Sequence, residues 1–562
     1  MVAIVPDDVL ALQRLYHWET HSPDQVALTQ PICGGAVVDY TWRELLDQSR
    51  RIAAHLQRLG LHPGDRVAIH SKNTAHWLMS DFAIWLAGGV SVPLYPTLAP
   101  GMIRQILEHS ESKWLFVGKL DGWEGMKSGI PADLPCISLP LSPDDAQRSY
   151  PQWDAIIAAT PPLMGAPVRP GESLATIIYT SGTTGIPKGV MHSFAAFAWV
   201  LQSSLQRFPA SEGRRRLSYL PLSHVAERLQ IEHALLALGG RVYFTESLET
   251  FPEDLRRARP TRFFSVPRLW TKFQQGIVAR MPADTLDRLL ESPGAKNAAS
   301  REILTSLGLQ ECELASCSAA PMPPELRRWY ARLGLNMVEA YGMTEFIASH
   351  STLPGQEAFG TVGVPYSGTQ CRLDPSTNEV QIKSPAMMLG YYKDPELTDQ
   401  AFTDGWLRTG DKGTFDSAGN LKITGRVKDL FKTSKGKYVA PAPIEHQIAM
   451  HAAVEACCVT GAGLRQPIAL LMLNEFACQS IGSSAHRIEL DSSLSEHLDK
   501  INSTLDPHER LDCFVVMTAP WTVDNDLVTP TLKIKRHRIE DTFATHYEVW
   551  VGAGRGVVWY ET

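Results

Sequence analysis

The stretch that decides the fold is TIIYTSGTTGIPKGVMH, residues 176–192, in which a short apolar run passes into a loop of glycines and hydroxyl residues. The run predicts a buried strand. In the loop, glycines let the backbone approach a ligand, and hydroxyls, exposed N–H groups and a lysine can bind phosphate oxygens. The residues predicted to bind a polyphosphate are Thr180, Ser181, Gly182, Thr183, Thr184, Gly185 and Lys188. This is not a Walker loop, which needs Lys directly after the second Gly and Ser or Thr after that Lys.

Outward from this stretch, further strand-like runs are separated by helical lengths. A helix is predicted over residues 42–59 from the spacing of its apolar residues, with Thr41 and Glu44 as a capping box and Gly60 at its C-terminal end. The alternation of runs and helices predicts parallel sheets with helices on their faces. The runs lie at residues 67–70, 90–95, 114–117, 176–179, 242–245 and 263–266.

Two changes in composition predict the organisation of the chain. Residues 160–172 are rich in Pro and Gly and predict a connector that leads into a strand. Residues 410–443 are dense in Gly, Lys and Asp, and shorter mixed elements follow them. We therefore predict an α/β protein with a large multi-subdomain N-terminal body, residues 1–426, built on parallel-type sheets, and a small α+β C-terminal domain, residues 427–562.

Composition excludes several classes of protein. The 562 residues are 44% hydrophobic and 20% charged, unlike a disordered chain, and the net charge of −7 argues against general nucleic-acid binding. The nine cysteines show no CxxC pair, and the first residues lack the apolar segment of a signal peptide, so a reducing, cytoplasmic location is expected. Apolar runs are too short for a transmembrane helix, which leaves peripheral membrane contact open.

Six segments carry a resemblance to a known family. YTSGTTGIPKG is similar to the phosphate-loop signature of the adenylate-forming, AMP-binding superfamily, which includes acyl-CoA synthetases, peptide-synthetase adenylation domains and firefly luciferase. The other family-like segments follow in order: LPLSHVAER (220–228), VEAYGMTE (338–345), RTGD (408–411), ITGRVKDLFKTSKGKYVAP (423–441) and TPTLKIKR (529–536). Together with residues 85–98 and 263–273, the match resembles the long-chain or very-long-chain, bubblegum-type branch.

The resemblance implies an ATP-dependent acid–thiol ligase that works in two half-reactions. A fatty acid carboxylate attacks the α-phosphorus of ATP to give acyl-adenylate and pyrophosphate, and the thiol of CoA then displaces AMP. Lys188 and the hydroxyl loop would hold the β- and γ-phosphates, and Glu345 would bind Mg²⁺. Tyr341 would stack on adenine, and Thr344 would lie near the α-phosphate.

The resemblance assigns five further residues. Asp411 would accept hydrogen bonds from the ribose hydroxyls, for which an acceptor-only carboxylate is suited, and Arg426 would be a second ribose or phosphate contact. Lys533 would reach from the C-terminal lid to the α-phosphate and the substrate carboxylate. Lys428 would be the hinge at which the lid swings between half-reactions, and His224 would line the acyl entrance and the thiol path.

Other functions stay open at this stage. The acid could be medium-chain or aryl, or the acceptor could be a carrier protein, although the chain ends soon after the Lys533 motif and so favours free CoA. A luciferase-like oxygenase belongs to another class, which nothing in the sequence selects. A non-enzymatic nucleotide-binding relative would be expected to lack Lys533, Glu345 or Asp411, and all three are present. The true substrate and the oligomeric state are not predicted.

Overall fold

The structure is a computed structural model that describes residues 5–181, 187–281, 283–292, 296–356, 358–481, 484–522, 525–529 and 533–561. The chain divides into two compact units. Unit 1 comprises Met1–Cys371 and Ile382–Leu407, and unit 2 comprises Arg372–Gln381 and Arg408–Thr562. The boundary predicted at residue 427 remains a prediction.

The strands, in chain order, are β1 (Val26–Cys33), β2 (Ala36–Thr41), β3 (Arg66–His70), β4 (Val90–Leu94), β5 (Trp114–Val117), β6 (Cys136–Ser138), β7 (Leu174–Ser181), β8 (Pro187–Ser193), β9 (Arg215–Ser218), β10 (Arg241–Phe244), β11 (Arg262–Ser265), β12 (Leu314–Cys317), β13 (Met337–Tyr341), β14 (His350–Ser351), β15 (Val364–Pro365), β16 (Gln370–Leu373), β17 (Glu379–Lys383), β18 (Gly390–Tyr391), β19 (Phe402–Thr403), β20 (Trp406–Phe415), β21 (Leu421–Arg426), β22 (Phe431–Lys432), β23 (Tyr438–Val439), β24 (Val454–Thr460), β25 (Ile468–Leu473), β26 (Phe514–Met517) and β27 (Val557–Tyr560).

The α-helices are α1 (Ala11–His21), α2 (Trp42–Arg58), α3 (Ala75–Ala87), α4 (Pro100–Ser110), α5 (Trp123–Met126), α6 (Asp144–Ser149), α7 (Trp153–Ala159), α8 (Phe194–Arg207), α9 (Val225–Arg228), α10 (Ala234–Leu238), α11 (Phe251–Ala258), α12 (Pro267–Arg280), α13 (Ala283–Glu291), α14 (Lys296–Leu307), α15 (Pro324–Arg332), α16 (Pro395–Ala401), α17 (Pro441–Ile448), α18 (Glu475–Ser480), α19 (Ser484–Asn502), α20 (Arg536–Phe543) and α21 (Tyr547–Gly552). A π-helical turn, Leu229–His233, joins α9 to α10. No helix in the described ranges has both the length and the apolar character needed to cross a bilayer.

Unit 1 contains three sheets that confirm the predicted α/β class. The largest runs β18-β8-β7-β4-β3-β5-β6, and its pairs from β7 through β4, β3 and β5 to β6 are parallel. A second sheet runs β2-β1-β10-β9, and a third runs β11-β12-β13-β14-β15. Every strand expected from sequence is present, with ends that differ by at most two residues.

Helices α2 and α3 belong to a core shared by the two sheets that contain β1 and β3. Helix α2 begins with the expected capping box, in which the Thr41 hydroxyl accepts from the Glu44 N–H and Glu44 accepts from the Thr41 N–H. Helix α3 is mostly apolar and is buried along its whole length, and its buried Asp81 forms an ion pair with Arg228. The Pro- and Gly-rich residues 160–173 form a connector into β7, as predicted.

The C-terminal part of unit 2 is a sheet of order β24-β25-β26-β27 with helices on both faces. One core contains residues of α17 and α19, and the other contains residues of α20 and α21. Strands β24 and β25 are antiparallel, whereas β25, β26 and β27 are parallel. This mixture of helices and strands agrees with the small α+β domain expected from sequence.

Candidate active site

The hairpin of β7 and β8 carries the stretch with which the sequence analysis begins. The two strands are antiparallel, and Thr180 on β7 lies opposite Lys188 on β8. Both residues are half-buried at the end of the hairpin where the connecting loop joins the two strands. The backbone of Ser181 ends β7, whereas Gly182, Thr183, Thr184 and Gly185 lie outside the described residues. The structure therefore places Thr180 and Lys188 at the start and end of the expected phosphate loop.

Tyr391 links Lys188 to the predicted magnesium ligand. The Lys188 ammonium lies 5.7 Å from the centroid of the Tyr391 ring, and the Tyr391 hydroxyl donates a hydrogen bond of 2.9 Å to Glu345 Oε1. Burial and the neighbouring Glu345 raise the pKa of Tyr391, so the phenol keeps its proton and acts as donor. The sequence analysis missed Tyr391, because only the pairing of β18 with β8 brings it to this place.

His192 ties Thr344 to the same hairpin. Its Nε2 lies 2.6 Å from the Thr344 carbonyl oxygen, which can only accept, so Nε2 carries the proton in this bond. Burial lowers the pKa of His192 to about 4, and the ring is therefore neutral at pH 7. The bond fixes the backbone beside Glu345 against β8. His192 ends the quoted stretch, yet its spacing in the sequence gave no sign of this role.

A tight turn after β13 brings Tyr341, Thr344 and Glu345 together. A Cβ atom at Gly342 would lie 2.1 Å from the Ile347 carbonyl oxygen, so only glycine fits there. Tyr341 is the last residue of β13 and is buried, and its ring centroid lies 5.5 Å from that of Phe346. The fold thus unites Thr180, Lys188 and the three predicted residues of the YGMTE segment within unit 1.

Glu345 fits the expected binding of Mg²⁺ through one carboxylate. Mg²⁺ usually keeps several waters and binds one or two carboxylates together with substrate phosphates. Within the described parts of the chain, no three His, Cys, Asp or Glu side chains cluster as ligands of a metal ion would. A site of one carboxylate near a cationic phosphate loop matches magnesium that arrives with ATP better than a permanent metal centre.

His224 caps the short helix α9, whose last residue, Arg228, belongs to a deeply buried charged cluster. Its Nδ1 accepts from the Ala226 N–H at 3.2 Å, and the side chain is half-buried. Farther along, Arg228 is fully buried, donates to Asp81, and donates to Glu232 at 2.9 Å. Burial raises the pKa of Glu232 well above its ordinary value, so one proton and one guanidinium balance the two carboxylates. This part of the SHVAER segment is structural.

A cavity lies behind β13 and beside the turn that follows His224. It is lined by Val338 and Ala340 of β13, by Glu227 of α9, by Ser204 of α8 and the Phe208 that follows it, and by residues of β9, β11 and β12. The lining residue Ala340 immediately precedes Tyr341, the predicted adenine-binding residue, on β13. The residues of this cavity were not predicted from the sequence, because they come from eight separate segments.

In unit 2, Asp411 and Arg426 face each other across the antiparallel pair of β20 and β21. Arg426 Nε lies 3.1 Å from Asp411 Oδ1, and Asp411 is buried while Arg426 is exposed. The Gly410 N–H donates to Glu379 Oε1 at 2.9 Å, which holds the strand at this point. The structure therefore brings together the two residues predicted to bind ribose.

The predicted hinge and the lid lysine also lie in unit 2. Lys428 is exposed in the turn after β21, and the preceding Val427 N–H donates to the Gly410 carbonyl at 2.8 Å. Lys533 is exposed, and its N–H donates to the Thr529 hydroxyl at 3.0 Å. Both side chains are thus accessible, as their predicted roles require.

The comparisons with known proteins match this architecture. The sequence profile of a family described as AMP-binding enzyme matches residues 15–392, about two thirds of the chain. The chain belongs to the AMP-binding enzyme family. The profile described as AMP-binding enzyme C-terminal domain matches residues 428–548 of this AMP-binding enzyme.

Curated relatives of this AMP-binding enzyme match over nearly the whole chain. Long-chain-fatty-acid–CoA ligase FadD15 of Mycobacterium bovis is 29% identical, over 96% of this chain and 96% of its own. Long chain acyl-CoA synthetase 1 of Arabidopsis thaliana is 27% identical, over 89% of this chain and 85% of its own. Long-chain-fatty-acid–CoA ligase 5 of Rattus norvegicus is 28% identical, over 90% of this chain and 84% of its own.

Solved structures confirm the fold. The A-PCP didomain of carboxylic acid reductase from Segniliparus rugosus, in complex with AMP, has a TM-score of 0.81 and 23% identity, over 98% of this chain and 84% of its own. Anthranilate CoA ligase AuaEII, in complex with anthranoyl-AMP, has a TM-score of 0.78 and 21% identity, over 97% of this chain and 99% of its own. At these identities the likeness shows that the AMP-binding enzyme has the adenylate-forming fold.

Proposed function

We propose that this AMP-binding enzyme is a long-chain fatty acid–CoA ligase that forms acyl-adenylate from ATP and then acyl-CoA, AMP and pyrophosphate. The observation that carries the proposal is the convergence of Lys188, Tyr391 and Glu345 beside the phosphate loop. The names of the relatives, which match over 84% to 96% of their own lengths, support the substrate class.

The first half-reaction brings a carboxylate to a polyanion, so neutralising charge should dominate the catalysis. Lys188, held over the Tyr391 ring, would supply a cation at the β- and γ-phosphates together with the hydroxyls from Thr180 onward. Glu345 would hold Mg²⁺, which when bound neutralises phosphate charge. Neutral His192 keeps the backbone of Thr344 in place, so that the Thr344 side chain could bind near the α-phosphate.

The nucleoside would be bound by Tyr341 and by the pair of Asp411 and Arg426. Tyr341 would stack on adenine from the end of β13, and Asp411 would accept the two ribose hydroxyls, with Arg426 alongside. The Arg426–Asp411 ion pair supports this, since it holds the two side chains side by side where both could contact the ribose. The nucleotide and Mg²⁺ are proposed here as substrate and cofactor.

The second half-reaction would depend on movement of residues 427–562 as a lid. Lys533 would approach the α-phosphate for adenylation, and a change in backbone dihedrals at Lys428 would then withdraw it and admit CoA. His224, half-buried at the N-terminus of α9, would line the path of the acid and the thiol. The exposure of Lys428 and Lys533 supports this assignment, since both would have to change surroundings.

Pyrophosphate release across a panel of carboxylic acids, with and without CoA, tests the proposal. We expect release with saturated acids of long chain and formation of a thioester and AMP only when CoA is added. If no acid stimulates release, the enzyme assignment is wrong. If release peaks with aryl or medium-chain acids, or if only a carrier protein accepts the acyl group, the rival ligase is correct.

A further inference from the structure

Two arginines, the buried Arg216 and the half-buried Arg262, line the cavity behind β13 and lack part of their expected hydrogen bonding. Arg216 on β9 is only 4% exposed, and Arg262 begins β11. Arg216 Nη1 and Arg262 Nε are both buried and have no hydrogen-bond partner among the residues that the structure describes. A guanidinium in this situation has lost its water and has not regained those hydrogen bonds within the protein.

The charges around the cavity do not compensate the two arginines. The neighbouring Arg214 has its own partner, Glu313. Glu227 lines the cavity, but burial raises its pKa to about 8, so at pH 7 it is mainly the neutral acid. Burial, followed by the nearby Arg262 and Arg214, lowers the pKa of Arg216 to about 9, which still leaves it cationic. One wall of this cavity, whose other lining residues are partly apolar and partly polar, is therefore positive.

The remaining wall suits an alkyl chain. Its lining residues Leu217, Phe263, Phe264 and Val338 are apolar, and Ala340, which also lines it, immediately precedes Tyr341 on β13. An acid whose reacting carboxylate lay at the nucleotide site could extend its chain past β13 into this space. The arginines would then meet the end of the chain opposite to the carboxylate that reacts.

We propose that this cavity selects fatty acids whose far end carries a second carboxylate, and that Arg216, assisted by Arg262, binds that group. The proposal rests on the proposed function, because it assumes that the cavity holds the acyl chain during adenylation. A carboxylate accepts two hydrogen bonds from a guanidinium in a fork geometry, so it would satisfy Arg216 Nη1 and balance its charge. Neither a methyl end nor an aryl ring would do so.

The test compares acids of equal length on the wild-type enzyme. Pyrophosphate release would be measured for α,ω-dicarboxylic acids, for their monomethyl esters and for plain fatty acids over a series of chain lengths. At the length that reaches Arg216, we expect kcat/KM for the diacid to exceed that of both other compounds by about 10-fold or more, as for a hydrogen bond to a charged group. The ester changes only the charge, so this comparison needs no variant.

Variants then locate the effect. Arg216→Leu should lower kcat/KM for the diacid by about 10- to 100-fold and leave or raise that for the plain acid. Arg215→Leu is the matched control on the same strand, because Arg215 donates to the carbonyls of Ala258 and Arg259 and lies outside the cavity lining. Arg215→Leu should leave the ratio of kcat/KM for the diacid to kcat/KM for the plain acid unchanged.

Two results would overturn the proposal while the proposed function stands. In one, the wild type releases pyrophosphate with plain acids and disfavours the diacid at every length. In the other, Arg216→Leu changes both substrates equally, which would indicate a purely structural arginine. A complete lack of release with any acid would instead refute the proposed function. If Arg216→Leu does not fold, the comparison of diacid and ester on the wild type decides alone.

Discussion

Removal of one hydroxyl, in Tyr391→Phe, should weaken magnesium-dependent adenylation. The variant keeps the aromatic ring 5.7 Å from Lys188, and a phenyl face also attracts a cation, so this contact should persist. What disappears is the 2.9 Å hydrogen bond to Glu345 Oε1. Glu345 would then lose one of the contacts that hold it in the position in which it is proposed to bind Mg²⁺.

The size of the effect follows from the kind of bond that is lost. A hydrogen bond to a charged acceptor contributes about 1.5–3 kcal/mol. Because Glu345 is half-buried, water can replace part of the bond, and about 1–2 kcal/mol is a reasonable expectation. Since about 1.4 kcal/mol corresponds to tenfold, the Mg²⁺ concentration for half-maximal pyrophosphate release should rise roughly 5- to 30-fold.

The assay is pyrophosphate release at saturating ATP and acid over a series of Mg²⁺ concentrations. Tyr392→Phe is the matched control, since the adjacent ring contacts His109 and Arg66 instead. A double-mutant cycle combines Tyr391→Phe with Glu345→Gln. If the two residues act together, Tyr391→Phe should have little further effect on the Mg²⁺ dependence of Glu345→Gln. An unchanged Mg²⁺ dependence in Tyr391→Phe would refute the reasoning, as would full additivity with Glu345→Gln.

Three further predictions address the lid, the buried cluster and pH. Lys533→Ala should suppress adenylate formation and spare thioester formation from preformed adenylate, and Lys428→Pro should do the reverse. The two steps are measured separately by rapid-quench kinetics, and equal loss of both steps would contradict the hinge assignment. Arg228→Met should lower the free energy of unfolding in urea by about 3–5 kcal/mol, because it leaves a buried carboxylate uncompensated. Arg43→Met, at an exposed ion pair, should lower it by less than about 1 kcal/mol, and similar values for both variants would argue against the cluster. Folding raises the pKa of Glu227 from 4.5 to about 8, so the folded protein binds one more proton than the unfolded chain between these pH values. The stability of the wild type relative to Glu227→Gln should therefore fall as pH rises from about 4.5 to about 8. A constant difference in the free energy of urea unfolding between about pH 5 and about pH 8.5 would contradict this.

Much of the fold could be predicted because the relevant signals are local. The capping box of Thr41 and Glu44 and the apolar spacing after it fixed α2 to within one residue of its observed end at Arg58. The short β-branched runs coincide with β3, β4, β5, β7, β10 and β11. Hydrophobic periodicity and capping act over one or two helical turns, so a single sequence contains them.

The parts of the site that could not be predicted depend on pairing between distant segments. Tyr391 reaches Lys188 only because β18 pairs with β8, and Arg216 faces the cavity only because β9 lies beside β10 in the second sheet. His192 lies in the quoted stretch, but its bond to Thr344 requires the tight turn at Gly342. No period or motif in the sequence records such contacts.

The SHVAER segment illustrates why a family-like motif does not by itself identify ligand contacts. Its residues differ in burial: His224 is half-buried at a helix N-terminus, whereas Glu227 and Arg228 are fully buried. Arg228 already donates to Asp81, Glu232 and Thr176, and Thr176 lies in β7, the strand that leads to the phosphate loop. Arg228 therefore acts on the site through the position of β7. A loss of activity in an Arg228 variant would report a displaced hairpin, whereas a loss in a Lys188 variant, with the fold intact, would report the missing cation itself.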